Sequence, residues 1–164
     1  MQYISSDTNI WIDFAQINRL TFPFMLDYVY CMSTDAIADE LISPPDMGKR
    51  LIDSGLRPVE INDEEYFLAL EYGSRCKKLS VYDRLALAIA KKRDYVLLSG
   101  DGALRKAAKL EGVEVRGTLW VFDQLLMTGK IAREEYNKAM IDLRDDPTGR
   151  IRLPKEEIRK RITL

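Results

Sequence analysis

The chain has 164 residues, of which 46% are hydrophobic and 31% charged. This composition is typical of one soluble globular domain, excludes a fibrous or disordered chain, and leaves little room for a second domain. No stretch approaches the roughly 18 apolar residues of a membrane span, and the start lacks a signal-peptide pattern, so we expect a cytoplasmic protein without membrane contact.

Short apolar runs alternate along the chain with amphipathic stretches. The predicted strands are residues 3–6, 28–32, 57–61, 95–98 and 113–116. The predicted helices lie near residues 8–17, 33–40, 48–54, 63–77, 80–90, 103–110 and 118–126, with Ser33, Asp63 and Ser80 as caps. This alternation predicts an α/β fold, a three-layer α/β/α sandwich with a mostly parallel central sheet.

The end of the chain differs from the rest in charge. Residues 145–149 contain Asp, Pro, Thr and Gly and form the one candidate linker. We therefore divide the chain into a domain at residues 1–144 and a basic extension at residues 145–164. Residues 150–164 have a net charge of +4, whereas the remainder of the chain has −5. A basic tail is compatible with a polyanionic substrate, and equally with a solvated helix.

Three acids share one setting in the predicted fold. Asp7 follows the first strand, Asp101 follows the strand at residues 95–98, and Asp83 lies in the first turn of the helix opened by Ser80. Ligands of open α/β sheets bind at the carboxyl ends of the strands, so acids from separate segments can converge there. Glu40 joins them if its helix leans over the same edge.

Each of these acids also has a structural interpretation. Asp7 and Asp101 are in suitable positions to cap the helices that follow them. Asp83 occupies the third position of a capping box with Ser80, and Glu40 suits a solvent-facing helix position. The sequence leaves both interpretations open for each acid taken alone.

A cluster of carboxylates needs a counter-charge. Two unit charges about 4 Å apart repel by several kcal/mol at an effective dielectric near 20. The chain contains no His, which excludes a His general base and a site built on imidazole. An all-oxygen site is the kind that Mg²⁺ or Mn²⁺ prefers, so a hard divalent cation is the metal we infer.

Four segments resemble the signatures of the PIN-domain family, in the same order and spacing across about residues 2–128. They are residues 6–12 (SDTNIWI), 33–41 (STDAIADEL), 81–88 (VYDRLALA) and 97–101 (LLSGD). Residues 117–120 (GTLW) and 129–131 (GKI) also resemble the prokaryotic, toxin-type (VapC-like) branch of that family. One departure from the pattern is Arg84, directly after Asp83, where a small or apolar residue is common.

The resemblance implies a Mg²⁺- or Mn²⁺-dependent endoribonuclease that cleaves single-stranded RNA. The positions that match the family's catalytic and metal-binding acids are Asp7, Glu40, Asp83 and Asp101. Thr8, Asn9 and Ser99 match the polar positions that accompany them. For the toxin-type branch, the resemblance further implies an antitoxin protein partner and a homodimer.

The basic residues nearest these motifs are candidates for phosphate contacts. They are Arg84, Arg105 and Lys106. Arg84 has two possible roles, since it can contact a phosphate or form a salt bridge with a site acid and weaken metal binding.

Two other protein classes compete with the nuclease interpretation. The first is a non-catalytic PIN-like module that binds RNA or a protein and whose acids are only helix caps; retention of all four acids argues against it. The second is a response-regulator receiver, which needs adjacent acids after the first strand. Ser5-Ser6-Asp7 lacks that pair, and Asp101 comes too late in the chain for a phosphoacceptor.

Overall fold

The computed structural model, which describes residues 1–163, is built around a five-stranded sheet. All strand pairs are parallel, and the strand order is β3-β2-β1-β4-β5. The strands are β1 (Gln2–Ser6), β2 (Tyr28–Ser33), β3 (Arg57–Val59), β4 (Val96–Leu98) and β5 (Val115–Arg116). The predicted α/β/α fold is confirmed.

Nine α-helices and one short 3-10 helix (Phe22–Met25) surround the sheet within the described residues. The helices are α1 (Thr8–Gln16), α2 (Thr34–Glu40), α3 (Met47–Ser54), α4 (Asp63–Arg75), α5 (Val81–Arg93), α6 (Gly102–Leu110), α7 (Thr118–Met127), α8 (Arg133–Arg144) and α9 (Lys155–Arg161). In the stretch that the structure describes, no helix combines the length and apolar character needed to cross a membrane.

Side-chain caps set the starts of several helices. Ser33 and Ser80 cap α2 and α5 as predicted, each accepting a backbone N–H with its hydroxyl. The predicted cap Asp63 is wrong, because Asn62 occupies that position in α4. The Asn62 side chain accepts from the Glu65 N–H while the Glu65 carboxylate accepts from the Asn62 N–H, a reciprocal pair that Asp63 cannot make.

The sheet separates two apolar cores. Alternate side chains along a strand point to opposite faces, so Ile4, Val96 and Leu98 enter one core and Leu97 and Val115 the other. The first core is closed by α1, α2, α3, α7, α8 and α9. The second is closed by α4, α5 and α6. Burial on both faces explains why the β4 strand reads as a continuous apolar run.

The end of the chain folds back onto the first core. Ile158 of α9 is 1% exposed and belongs to the same cluster as residues of α1 and α7. Arg161 forms a salt bridge with Asp123 of α7 at 3.0 Å. The division of the chain at residue 144 stays a prediction, but residues 155–161 are packed rather than extended into solvent.

Candidate active site

Two of the predicted site acids follow neighbouring strands at the centre of the sheet. Asp7 comes directly after β1 and Asp101 comes three residues after the end of β4, and these strands are adjacent and parallel. The backbone N–H of Asp7 donates to the Leu98 carbonyl at 3.0 Å, which extends the pairing to the sheet edge. This edge is also where the strand order reverses, the usual ligand position in open α/β sheets.

Asp7 is a buried carboxylate at the start of α1, with 4% of the residue exposed. Its Oδ1 accepts from the Ile10 N–H at 3.1 Å and its Oδ2 from the Ser99 hydroxyl at 2.6 Å. Burial raises the pKa of Asp7 to about 7, against the lowering effect of these two hydrogen bonds. The charges of Asp83 and Asp13 raise it further. Near neutral pH Asp7 is therefore divided between its neutral and its charged form, and positive charge brought to the pocket would favour the charged form.

Asp83 and Asp101 both cap helices, as the structural interpretation predicts. Asp83 Oδ2 accepts from the Ser80 N–H at 3.0 Å, and Asp101 Oδ2 accepts from the Leu104 N–H at 2.8 Å. In each case Oδ1 makes no hydrogen bond with the residues that the structure describes. Capping and cation binding are compatible, since each carboxylate keeps one oxygen for another ligand.

Ser99 connects the acids of the two strands. Its hydroxyl donates to Asp7 and accepts from the Asp101 N–H at 3.1 Å. The Ser99 carbonyl in turn accepts from the Arg105 guanidinium at 2.8 Å. Of the predicted auxiliary residues, Ser99 thus lies between Asp7 and Asp101, whereas the side chain of Asn9 is exposed on α1.

Glu40 reaches the pocket from the last turn of α2. It is exposed, and its Oε1 accepts from the Thr8 hydroxyl at 2.7 Å. The neighbouring Asp39, which no sequence motif indicates, accepts from the Tyr82 hydroxyl. Two consecutive acids at the end of α2 therefore bind the residues that directly adjoin Asp7 and Asp83.

Several of the site residues line one small cavity of about 10 Å³, which accommodates roughly one water molecule. Asp7, Glu40 and Asp83 are in its wall, together with Thr8 and Tyr82, whereas Asp101 is not. Asp101 is connected to this cavity through Ser99.

The oxygen donors around this cavity suit a hard divalent cation, and such an ion would relieve the cost of the buried Asp7 charge. Within residues 1–163, however, no three Asp, Glu, Cys or His side chains stand close enough together to hold a metal ion. The oxygen donors therefore have the chemistry that a divalent cation needs. In the described residues, however, no three acidic side chains are already arranged to bind one cation together.

The three predicted phosphate-contacting residues differ in their surroundings. Arg84 lies against Gly73 of α4, where an added Cβ would be 2.7 Å from Arg84 Nη1, and its Nε is buried without a hydrogen bond in the described chain. Arg105 supports the Ser99 carbonyl, and Lys106 is exposed on α6. The guanidinium of Arg84 therefore packs between α4 and α5 and forms no salt bridge with a site acid in the described chain.

A family model described as a PIN domain matches residues 3–164. No curated protein and no solved structure matches the chain. PIN domains are generally nucleases, and they generally use divalent metal ions. Because the match covers nearly the whole sequence, the chain belongs to the PIN-domain family.

Proposed function

We propose that the chain is a Mg²⁺- or Mn²⁺-dependent endoribonuclease that hydrolyses phosphodiester bonds of single-stranded RNA. The observation that carries the proposal is the buried Asp7 carboxylate in a pocket that it shares with Asp83 and Glu40. A divalent cation bound there supplies positive charge that lowers the pKa of a water molecule and neutralises the phosphate.

The proposed roles combine the positions of the residues in the structure with the motif positions that they match in the sequence. Asp7, Asp83 and Asp101 would hold the cation, the latter two through the oxygens that their caps leave open. Glu40 would act as a ligand directly or through water, because Mg²⁺ keeps several waters in protein sites. Ser99 would fix the orientation of Asp7 through the hydroxyl that donates to it. We expect products with a 5′-phosphate and a 3′-hydroxyl.

The first test is cleavage of end-labelled single-stranded RNA with Mn²⁺, with wild type compared with Asp101→Asn. Asparagine keeps an oxygen that can cap α6 but removes the charge, so we expect a folded variant whose cleavage rate falls by at least about a hundredfold. The matched control is Asp53→Asn. Asp53 is exposed and ion-paired with Lys49, so this variant should cleave the RNA at the wild-type rate.

The outcomes of this test discriminate between the two function classes. Full activity in Asp101→Asn, or no cleavage by wild type with either metal, would contradict the proposal. RNA binding without cleavage would favour a non-catalytic PIN-like module. A rise of the wild-type melting temperature on replacing EDTA by Mn²⁺, absent in Asp7→Asn, would support cation binding at Asp7.

We further propose that this ribonuclease acts as the toxin of a toxin–antitoxin pair. This part rests on the sequence resemblance at residues 117–120 and 129–131. The direct check is whether a short open reading frame for a DNA-binding antitoxin adjoins the gene, and whether co-expression of its product suppresses cleavage. Cleavage that the neighbouring gene product does not inhibit would argue against the toxin role but not against the nuclease.

A further inference from the structure

Ser99 lies in the short turn that joins β4 to α6, and it is fully buried. Its N–H donates to the Arg116 carbonyl at 2.9 Å, and its hydroxyl bonds both Asp7 and the Asp101 N–H. Within the described residues, Arg105 is the one group that bonds the Ser99 carbonyl, through Nη1 at 2.8 Å. A buried carbonyl that loses its partner is unfavourable, so the Ser99 backbone depends on Arg105.

The turn around Ser99 contains little else that could hold it in place. Gly100 and Gly102, on either side of Asp101, are exposed, and a Cβ added to either would meet nothing within 4 Å. Glycine has more backbone freedom than any other residue, which makes this turn easy to deform. The orientation of the turn therefore depends on the hydrogen bonds of Ser99 and on the cap that Asp101 forms.

Arg105 contacts both ends of this turn. Its backbone N–H donates to the Asp101 carbonyl at 2.9 Å, one helical turn earlier, while its guanidinium donates to the Ser99 carbonyl. The residue is half-buried on α6. Arg105 therefore connects the first turn of α6 to the residue that bonds Asp7.

The guanidinium of Arg105 also packs against Gly117, the residue before α7. A Cβ added to Gly117 would be 3.0 Å from Arg105 Nη1 and 3.6 Å from the Ser99 carbonyl oxygen. The backbone of Gly117 is extended, with φ at −132°, a conformation that other residues adopt readily. Glycine is thus useful here for the space that it leaves, and Arg105 Nη1 uses that space to reach the protein backbone.

We propose that Arg105 is a positioning residue of the candidate active site and not a phosphate contact. Its guanidinium holds the Ser99 carbonyl, and Ser99 in turn orients the Asp7 carboxylate and the Asp101 backbone. The consequence for cation binding rests on the proposed function, whereas the consequence for the turn does not. Removing a group that orients metal ligands typically changes metal affinity or activity by about tenfold to a hundredfold.

The first test is hydrogen exchange of the backbone amides of the metal-free full chain, followed by NMR. In Arg105→Met we expect the Asp101 N–H to exchange at least about tenfold faster, because the turn opens locally, while amides between β1 and β2 keep wild-type rates. The matched control is Lys109→Met, which removes an exposed charge from the last turn of the same helix and should leave the Asp101 amide unchanged. Equal acceleration at all amides would indicate general destabilisation and would contradict the positioning role.

Mn²⁺ and RNA binding separate positioning from phosphate contact. A positioning role predicts that Arg105→Met raises the dissociation constant for Mn²⁺, measured by calorimetry without RNA, by about tenfold to a hundredfold. The KM for single-stranded RNA at saturating Mn²⁺ and its dependence on salt should stay as in wild type. A phosphate contact predicts the reverse, since its loss weakens RNA binding and reduces the salt dependence without changing Mn²⁺ affinity.

A variant that keeps the charge of Arg105 gives an independent check. Gly117→Ala places a methyl group against Arg105 Nη1 and should accelerate exchange of the Asp101 amide, in the same direction as Arg105→Met. Wild-type exchange of Asp101 in Arg105→Met, or weaker RNA binding with intact Mn²⁺ affinity, would overturn the proposal. If wild type neither binds Mn²⁺ nor cleaves RNA, the proposed function fails, and the exchange of Asp101 in the metal-free chain still decides the role of Arg105.

Discussion

At the scale of single residues, Asp13 is a second buried acid, and no motif in the sequence indicates it. It lies on α1, is 8% exposed, and its Oδ2 accepts from the Thr118 hydroxyl at 2.8 Å. Burial raises the pKa of Asp13 to about 6, the Thr118 hydrogen bond opposes this, and the charge of Asp146 adds to it. Asp13 is therefore a carboxylate that the folded chain keeps protonated to higher pH than the unfolded chain.

This shift predicts a pH-dependent loss of stability. Between about pH 4 and pH 6 the folded chain holds a proton on Asp13 that the unfolded chain has released, so the free energy of unfolding falls as pH rises. The loss is complete above the folded pKa and amounts to about 2–3 kcal/mol. Asp13→Asn should remove this contribution, as measured by urea unfolding at pH 4, 5, 6 and 8.

The exposed Asp53→Asn serves as the control, and its pH profile should follow that of wild type. Thr118→Val removes the hydrogen bond that lowers the pKa of Asp13 and should move the loss to higher pH. A difference between wild type and Asp13→Asn that is the same at all four pH values would contradict the assignment.

At the scale of helices and strands, α2 connects the segments that contain the site acids. Its last two residues, Asp39 and Glu40, accept hydrogen bonds from Tyr82 of α5 and Thr8 of α1. Because Thr8 adjoins Asp7 and Tyr82 adjoins Asp83, these two contacts help to set how far apart α1 and α5 present their acids. Helix α2 therefore forms one hydrogen bond with each of the two helices that begin at the pocket.

The contact between α2 and α5 has a direct signature in the titration of Tyr82. Its hydrogen bond to Asp39 raises the pKa of the Tyr82 hydroxyl to about 12, with smaller contributions from burial and from nearby acids. In Asp39→Ala we expect the pKa of Tyr82 to fall toward the ordinary value near 10. The titration is followed by NMR of labelled tyrosine, and the variant Tyr82→Phe assigns the Tyr82 signal. The control Asp53→Ala should leave the titration unchanged, and an unchanged Tyr82 pKa in Asp39→Ala would show that the contact is absent in solution.

Local patterns in the sequence predict the elements but not which distant residues meet. The alternation of apolar and polar residues predicts the strands, and the cap residues predict the starts of α2 and α5. Both patterns depend only on residues two to four positions apart. They also predict which sheet edge contains Asp7 and Asp101. The Asp39–Tyr82 and Asp13–Thr118 contacts span 43 and 105 positions and depend on how helices pack, so no local pattern indicates them.

At the scale of the whole molecule, three of the six basic residues of the tail form salt bridges with acids of the same chain. Arg159 and Lys160 pair with Glu156 and Glu157 of the same helix, and Arg161 pairs with Asp123 of α7. In the described chain Arg150, Arg152 and Lys155 form no salt bridge, so they are the tail residues with charge available for a polyanion. We infer that residues 155–161 contribute chiefly to stability, since α9 supplies both a buried side chain and a salt bridge to the core.

A single core residue of the tail tests this contribution. Ile158 is 1% exposed, so Ile158→Ala removes buried methyl groups and should lower the free energy of unfolding by about 2–4 kcal/mol. Ile42→Ala is the matched control, because Ile42 is 60% exposed and its truncation should cost less than about 0.5 kcal/mol. Both values come from urea unfolding monitored by tryptophan fluorescence, since Trp11 is fully buried in the core that α9 joins. If Ile158→Ala costs no more than Ile42→Ala, residues 145–164 form a separable extension; a loss of several kcal/mol makes them part of the domain.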